Sequence, residues 1–173
     1  MPDRRLINIA GFLVCAALLG YALYAQFHLG LEPCPLCIFS RVTVLALGAA
    51  FGLAALFNPA RAGGRWFFTA LIGLAALAAV GVSARHVYIQ AQPAGSVPAC
   101  GAPLDVLMQM FQVWTVVYKV LHGGGECAEV NWRFLGLAMP AWVLAFAVVM
   151  GATGVYANFP RRQRRRTPTL KFK

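Results

Sequence analysis

The sequence predicts an all-α integral membrane protein: a four-transmembrane-helix bundle with a short membrane-surface helix in its second outside loop. Three observations predict it. Four apolar stretches are long enough to cross a bilayer and nearly free of charge. Charged residues are 12% of the 173 against 60% hydrophobic, with mean hydropathy +0.68, too little charge to cover a soluble domain of this size. The net charge of +10 is also unevenly spread, since seven of fifteen basic residues fall in the last thirteen positions. Arg4, Arg5, Arg61 and Arg65 lie in the other segments that alternate to that side. This is the positive-inside pattern, and it argues against a nucleic-acid groove.

The first span is Leu6–Phe27, 22 residues without a charge. A cleaved signal peptide is the alternative, but its apolar core runs only about 7–15 residues and no small-x-small cleavage site follows. Cys15 lies inside this span and reads as a small apolar packing residue. Residues 28–37 form a short outside loop. The second span is Ile38–Phe57, uncharged except for Arg41 in its first turn, and Gly48 and Gly52 offer a small-residue face for close helix approach. Asn58–Arg65, with Pro59, Gly63 and Gly64, is an inside turn. Trp66–Ala84 is the third span, opened by an interfacial aromatic group and closed by Arg85 and His86.

Residues 87–133 form the long second outside loop. Pro93, Pro98 and Pro103 exclude a regular helix around Cys100, and Leu104–Leu121 then reads as helical. Asp105, Gln109, Gln112 and Lys119 argue against a fifth span, which would also put the basic C-terminus outside. An amphipathic helix lying on the membrane is the reading that fits. Gly123–Gly125 is a flexible joint before Cys127, and Phe134–Ala157 is the fourth span. Residues 1–160 thus make one membrane domain, and 161–173 a basic cytoplasmic tail beside anionic lipid. On this topology the inside segments hold eleven basic residues and one acid, whereas the outside segments hold four of each. Both termini are therefore expected in the cytoplasm, with Cys34, Cys37, Cys100 and Cys127 outside.

Those four cysteines share the oxidising side of a bacterial-type inner membrane. Three pairings are possible, and Cys34–Cys37 with Cys100–Cys127 is the most economical. Plain structural disulfides are one reading. Against it, a bridge across so small a ring as Cys34–Cys37 adds little stability. With a helix starting near Pro35, Cys37 falls in the first turn near the positive end of the helix dipole, and Arg41 shares its face. Both features favour a thiolate. Arg41 could alternatively reach out to lipid phosphate. Cys100 sits in an extended segment of the kind that enters another protein's groove, and Cys127 is hinged by glycines.

The Pro-Cys-x-x-Cys at the start of the second span, with Arg41 behind it, resembles the DsbB family of disulfide-bond formation proteins. So does Cys127-Ala-Glu-x-x-Trp132-x-Phe-Leu-Gly-Leu-x-Met-Pro-x-Trp142 leading into the fourth span. The resemblance covers about residues 17–156. It implies a protein-dithiol:quinone oxidoreductase that reoxidises a DsbA-like periplasmic thioredoxin-fold protein and passes the electrons to a membrane quinone, ubiquinone or menaquinone. Carried onto this chain, Cys100 forms the mixed disulfide with the partner, Cys127 is released and engages Cys34, and Cys37 faces the quinone. Arg41 stabilises the Cys37 charge or the quinone oxygen, and His86 matches a quinone-proximal histidine. Ser40 and Arg133 depart from the acids many relatives carry, which touches the tuning of Arg41 and the contacts of the loop.

The resemblance also explains the need for a quinone. A DsbA-type disulfide lies near −120 mV, about 80 mV beyond ordinary thiol couples, so a stronger oxidant must drain the loop cysteines. Two rivals belong to other classes. A structural tetraspan would use its disulfides only as braces. A metal-binding tetraspan would use four thiolates, but zinc sites usually pair two short-spaced motifs, and Cys100 and Cys127 are far apart in sequence. No metal is expected. A closer variant, a vitamin-K-epoxide-reductase-like enzyme, normally has a different cysteine layout.

Overall fold

The computed structural model describes residues 3–31, 33–92, 104–122, 127 and 133–160. Four of its helices are long and apolar enough to cross a membrane: α1 (Arg4–His28), α2 (Pro35–Phe57), α3 (Ala62–Gln90) and α6 (Met139–Asn158). The shorter α4 (Leu104–Met110) and α5 (Val113–His122) lie between α3 and α6 in the chain. Hydrocarbon offers no partner to backbone amides, so uninterrupted helices are the form such apolar stretches take. The fold is the expected four-helix membrane bundle.

Local chemistry sets the ends of α2. Cys34 is its N-cap in extended conformation, Pro35 fills the first turn where no amide partner is needed, and Asn58 closes it in the left-handed region at φ 33°. α1 packs along α2, α2 along α3, and α3 most extensively along α6. Phe51 of α2 stands at the centre of the core with Cys15, Leu47, Ala54, Ile72 and Ala76. Its ring fits between two glycines, because a Cβ at Gly11 would come within 2.8 Å of it and one at Gly154 within 2.6 Å. A Cβ at Gly48 would meet Cys15 at 2.9 Å, so the predicted small-residue face is where α1 approaches, and Cys15 is a packing residue. Large apolar side chains such as Leu45, Leu74, Leu77 and Val149 point outward, as lipid-facing positions do.

The end of the bundle away from Cys34 is locked by polar groups. Asn8 and Asn158, both buried, exchange amide hydrogen bonds of 3.1 and 2.8 Å, and Asn158 also donates to the Gly154 carbonyl at 2.9 Å. Arg4 donates to the Pro59 carbonyl there at 3.2 Å. Asn8→Ala is expected to cost about 1 kcal/mol, the scale of a hydrogen bond between membrane helices. Thermal unfolding in detergent measures it, and an unchanged midpoint would deny the lock any role.

Three predicted elements are corrected. The fourth helix starts at Met139, not Phe134; residues 133–138 form a tight hairpin, Arg133–Phe134 pairing antiparallel with Leu137–Ala138. Leu135 and Gly136 at its tip have φ of 50° and 81°, the pattern of a two-residue type I′ turn. Pro140 enforces the later start, since deeper in a helix its ring would clash with the carbonyl of Gly136. The loop helix 104–121 is two helices broken at Phe111 and Gln112, which lets Val116 and Val120 of α5 bury against Leu36 and Ile89. The third helix runs on through Arg85 and His86 to Gln90, because no proline follows before Pro93 and Ile89 is itself buried. Glu32, Pro93–Pro103, Gly123–Glu126 and the tail 161–173 lie outside the described residues.

Candidate redox site

At the α5 end of the bundle, the N-terminus of α2 meets the last turns of α3. Helix geometry puts Cys34 and Cys37 within one turn, and the Cys37 amide donates to the Cys34 sulfur at 3.3 Å, so Cys34 caps the helix with its own thiol. The two sulfurs lie 2.9 Å apart, with Cys34 donating to Cys37. His86 reaches in from α3, only 2% exposed, with Nε2 3.8 Å from the Cys34 sulfur. Cys127, also 2% exposed, packs into the apolar cluster of Leu36, Ile89, Val116 and Val120 that roofs the pair. Its side chain hydrogen-bonds with Cys34, and its main chain with the His86 ring.

Cys34 is thus the meeting point, with sulfur neighbours on both sides. Contact with Cys127 draws its pKa down, but the hydrogen bond to Cys37 and burial outweigh that, and the value is pushed up to about 12. Near neutral pH the Cys34 thiol keeps its proton and shares it with the Cys37 sulfur. A limiting dose of alkylating agent should therefore label Cys37 of the reduced protein before Cys34. Peptide mass spectrometry reads the outcome, and equal labelling would contradict the arrangement.

Arg41 lies one turn further along α2. Its guanidinium donates to the Gln26 side chain and, at 3.1 Å, to the Ala22 carbonyl, both on α1. These two bonds hold the cation between α1 and α2, inside the outer turns of the bundle. Arg85 caps the other flank, donating to the Leu121 carbonyl at 2.9 Å and lying 5.2 Å from the Tyr88 ring. Cys34, Cys37, His86 and Cys127 are therefore brought together, with Arg41 one turn from Cys37. Cys100 lies outside the described residues.

The whole arrangement, a cysteine pair at a helix start under a loop cysteine, sits in a chain that matches the family described as Disulfide bond formation protein DsbB over residues 4–157. The chain belongs to the DsbB family. It is similar to Disulfide bond formation protein B of Chromobacterium violaceum, 49% identical over 146 residues, covering 82% of this chain and 87% of that protein. Against the protein of the same name from Xanthomonas campestris pv. campestris (strain 8004), identity is 45% over 154 residues, or 89% of this chain and 90% of the relative. The corresponding Xylella fastidiosa protein is 39% identical over 157 residues, 91% of each chain. Membership makes this a multi-pass membrane protein of disulfide-generating, oxidoreductase type, and Cys34, Cys37 and Cys127 are present in it as thiols.

Three participants escape a reading of the sequence alone. Gln26, the partner of Arg41, looks like a stray polar residue at the end of the first span; that polarity, in an otherwise apolar stretch, was the available signal. The roof residues Val116 and Val120 recur four apart, a helical face, but nothing local says that the face closes over Cys34.

Proposed function

We propose that this protein reoxidises a DsbA-like periplasmic thioredoxin-fold protein and delivers the electrons to a membrane quinone. One observation carries the reading: the Cys34 sulfur touches both the Cys37 sulfur, at 2.9 Å, and the Cys127 side chain. That is the contact a dithiol relay requires.

The relay starts from two disulfides, Cys100–Cys127 and Cys34–Cys37. The partner's thiolate attacks Cys100, forming the mixed disulfide and releasing Cys127 as a thiolate. The partner's second thiolate then resolves that bond, leaving the partner oxidised and Cys100 reduced. Cys127 attacks Cys34, making a Cys34–Cys127 bond and expelling Cys37 as a thiolate. Cys100 then displaces Cys34 from Cys127, which restores the outer disulfide and leaves Cys34 and Cys37 reduced. Each exchange breaks one disulfide and forms one, so two electrons and two protons move inward per cycle.

The donor set suits a quinone at this place. Cys37 is half-buried at the start of α2, Arg41 is a fixed cation one turn deeper, and the apolar Phe27 and Val42, next in sequence to Gln26 and Arg41, are exposed on the outside of the bundle. When bound, the quinone supplies the terminal two-electron oxidant that regenerates the Cys34–Cys37 disulfide. Arg41, held by Gln26 and Ala22, would orient it and offset charge on its oxygen. The basic ends of the chain support cytoplasmic termini in a bacterial inner membrane, with the cysteine loops in the periplasm.

The test mixes purified protein, reduced DsbA-like partner and ubiquinone or menaquinone, and follows quinone absorbance. Absence of quinone consumption with both acceptors would defeat the proposal. Arg41→Ala should raise the KM for quinone about tenfold or more, the cost of one charge-assisted contact, while single-turnover thiol exchange is retained.

A further inference from the structure

We propose that the reduced form of this site is a Zn²⁺ site built by Cys34, Cys37 and His86, and that metal held there blocks the dithiol. One sulfur from each cysteine and one ring nitrogen of His86 all lie within 4.8 Å of one another. Tetrahedral zinc, with bonds of about 2.3 Å to sulfur and 2.0 Å to nitrogen, places its sulfurs about 3.8 Å apart and sulfur about 3.5 Å from nitrogen. The Cys34 sulfur already stands 3.8 Å from Nε2, and the sulfur pair, now at 2.9 Å, needs only a small side-chain rotation to open.

The surroundings favour a metal over a mere cluster of donors. The His86 ring is hydrogen-bonded to the Cys127 main chain, the kind of outer contact that fixes the orientation of a ligating imidazole. The three protein donors leave the fourth tetrahedral position to a water molecule, as in zinc sites with three protein ligands. Charge also balances. Two thiols release two protons, and two thiolates with one neutral imidazole make Zn²⁺ formally neutral, which a buried site tolerates best. No electrons move. The sulfur lone pairs engaged by the metal are those needed for exchange, so a loaded site cannot be oxidised until the metal leaves.

Sequence spacing hides this site. The expected zinc pattern needs a second short-spaced pair, but here the third ligand comes from another helix, 52 positions from Cys34. The proposal does not depend on the identity of the partner or the electron acceptor.

The experiment titrates full-length protein in detergent, reduced and freed of reductant thiols, with Zn²⁺ against a chromophoric chelator; Co²⁺ serves as a spectroscopic stand-in. One equivalent of tight Zn²⁺ is expected in the reduced protein and none after oxidation. Thiolate-to-cobalt charge transfer with tetrahedral d–d bands is also expected. Cys34→Ser should abolish the tight site, and His86→Ala should weaken it about a hundredfold or more, the upper end of effects even for outer-shell partners. Circular dichroism and a thermal melt confirm that each variant is folded. If His86→Ala should fail to fold, His86→Asn replaces it. Stoichiometric binding that persists in Cys34→Ser, full affinity without the imidazole, or no tight binding to the reduced protein would each overturn the assignment.

Discussion

Cys37→Ser should leave a folded protein with no catalytic turnover, a loss of at least about a thousandfold, as expected when the reacting nucleophile is removed. The reason is positional. Cys37 is the sulfur that accepts from Cys34 at 2.9 Å and sits in the first turn of α2, where the helix dipole favours negative charge. Serine keeps the shape but cannot form the inner disulfide, so nothing remains for Cys127 to reduce. The outer pair should still oxidise at most one equivalent of partner dithiol per protein and then stop. A single-turnover assay beside a steady-state one separates these outcomes. Steady-state activity near that of the unmodified protein would remove Cys37 from the relay and leave the cysteines a bracing role.

Gly154→Val should be strongly destabilising, by about 3 kcal/mol, the upper end for overpacking a core. A Cβ at this position would lie 2.6 Å from the Phe51 ring and 2.8 Å from the Ile72 side chain. The ring is also close against Gly11, where a Cβ would lie only 2.8 Å from it, so it has little room to shift. Phe51→Ala alone should also cost about 3–5 kcal/mol, through the cavity it leaves between α1, α2 and α6. Together the two changes should destabilise less than their sum, since the valine occupies space the ring has vacated. Thermal unfolding of the four proteins in one detergent reads the coupling. Strict additivity would mean that the glycine is not a seat for the ring.

Sequence patterns and structure part company at identifiable places. The four apolar spans were legible because crossing a bilayer is a property of contiguous residues: length, absence of charge and internally satisfied backbone groups. The Cys34–Cys37 pair and the proline that starts its helix were legible for the same reason, since one helical turn brings them together. The late start of α6 could have been read from Pro140, but the apolar character of Phe134–Leu137 masked it. The break at Phe111 and Gln112 had no strong local signal. Beyond it, Val116 and Val120 of α5 bury against Leu36 and Ile89, contacts between separate elements that no local pattern specifies.

By itself, then, the amino-acid order determined the four spans, the concentration of basic residues at alternating ends, and a cysteine pair capping the second helix. Only the tertiary structure decided that His86 faces Cys34 rather than standing as a polar cap, that Cys127 joins the same sulfur, and that Arg41 is held by Gln26 and Ala22 of α1. The physical reason is range. Span length, charge and helix capping act within a few residues, whereas these contacts join separate helices and depend on how each is rotated when Phe51 seats between Gly11 and Gly154.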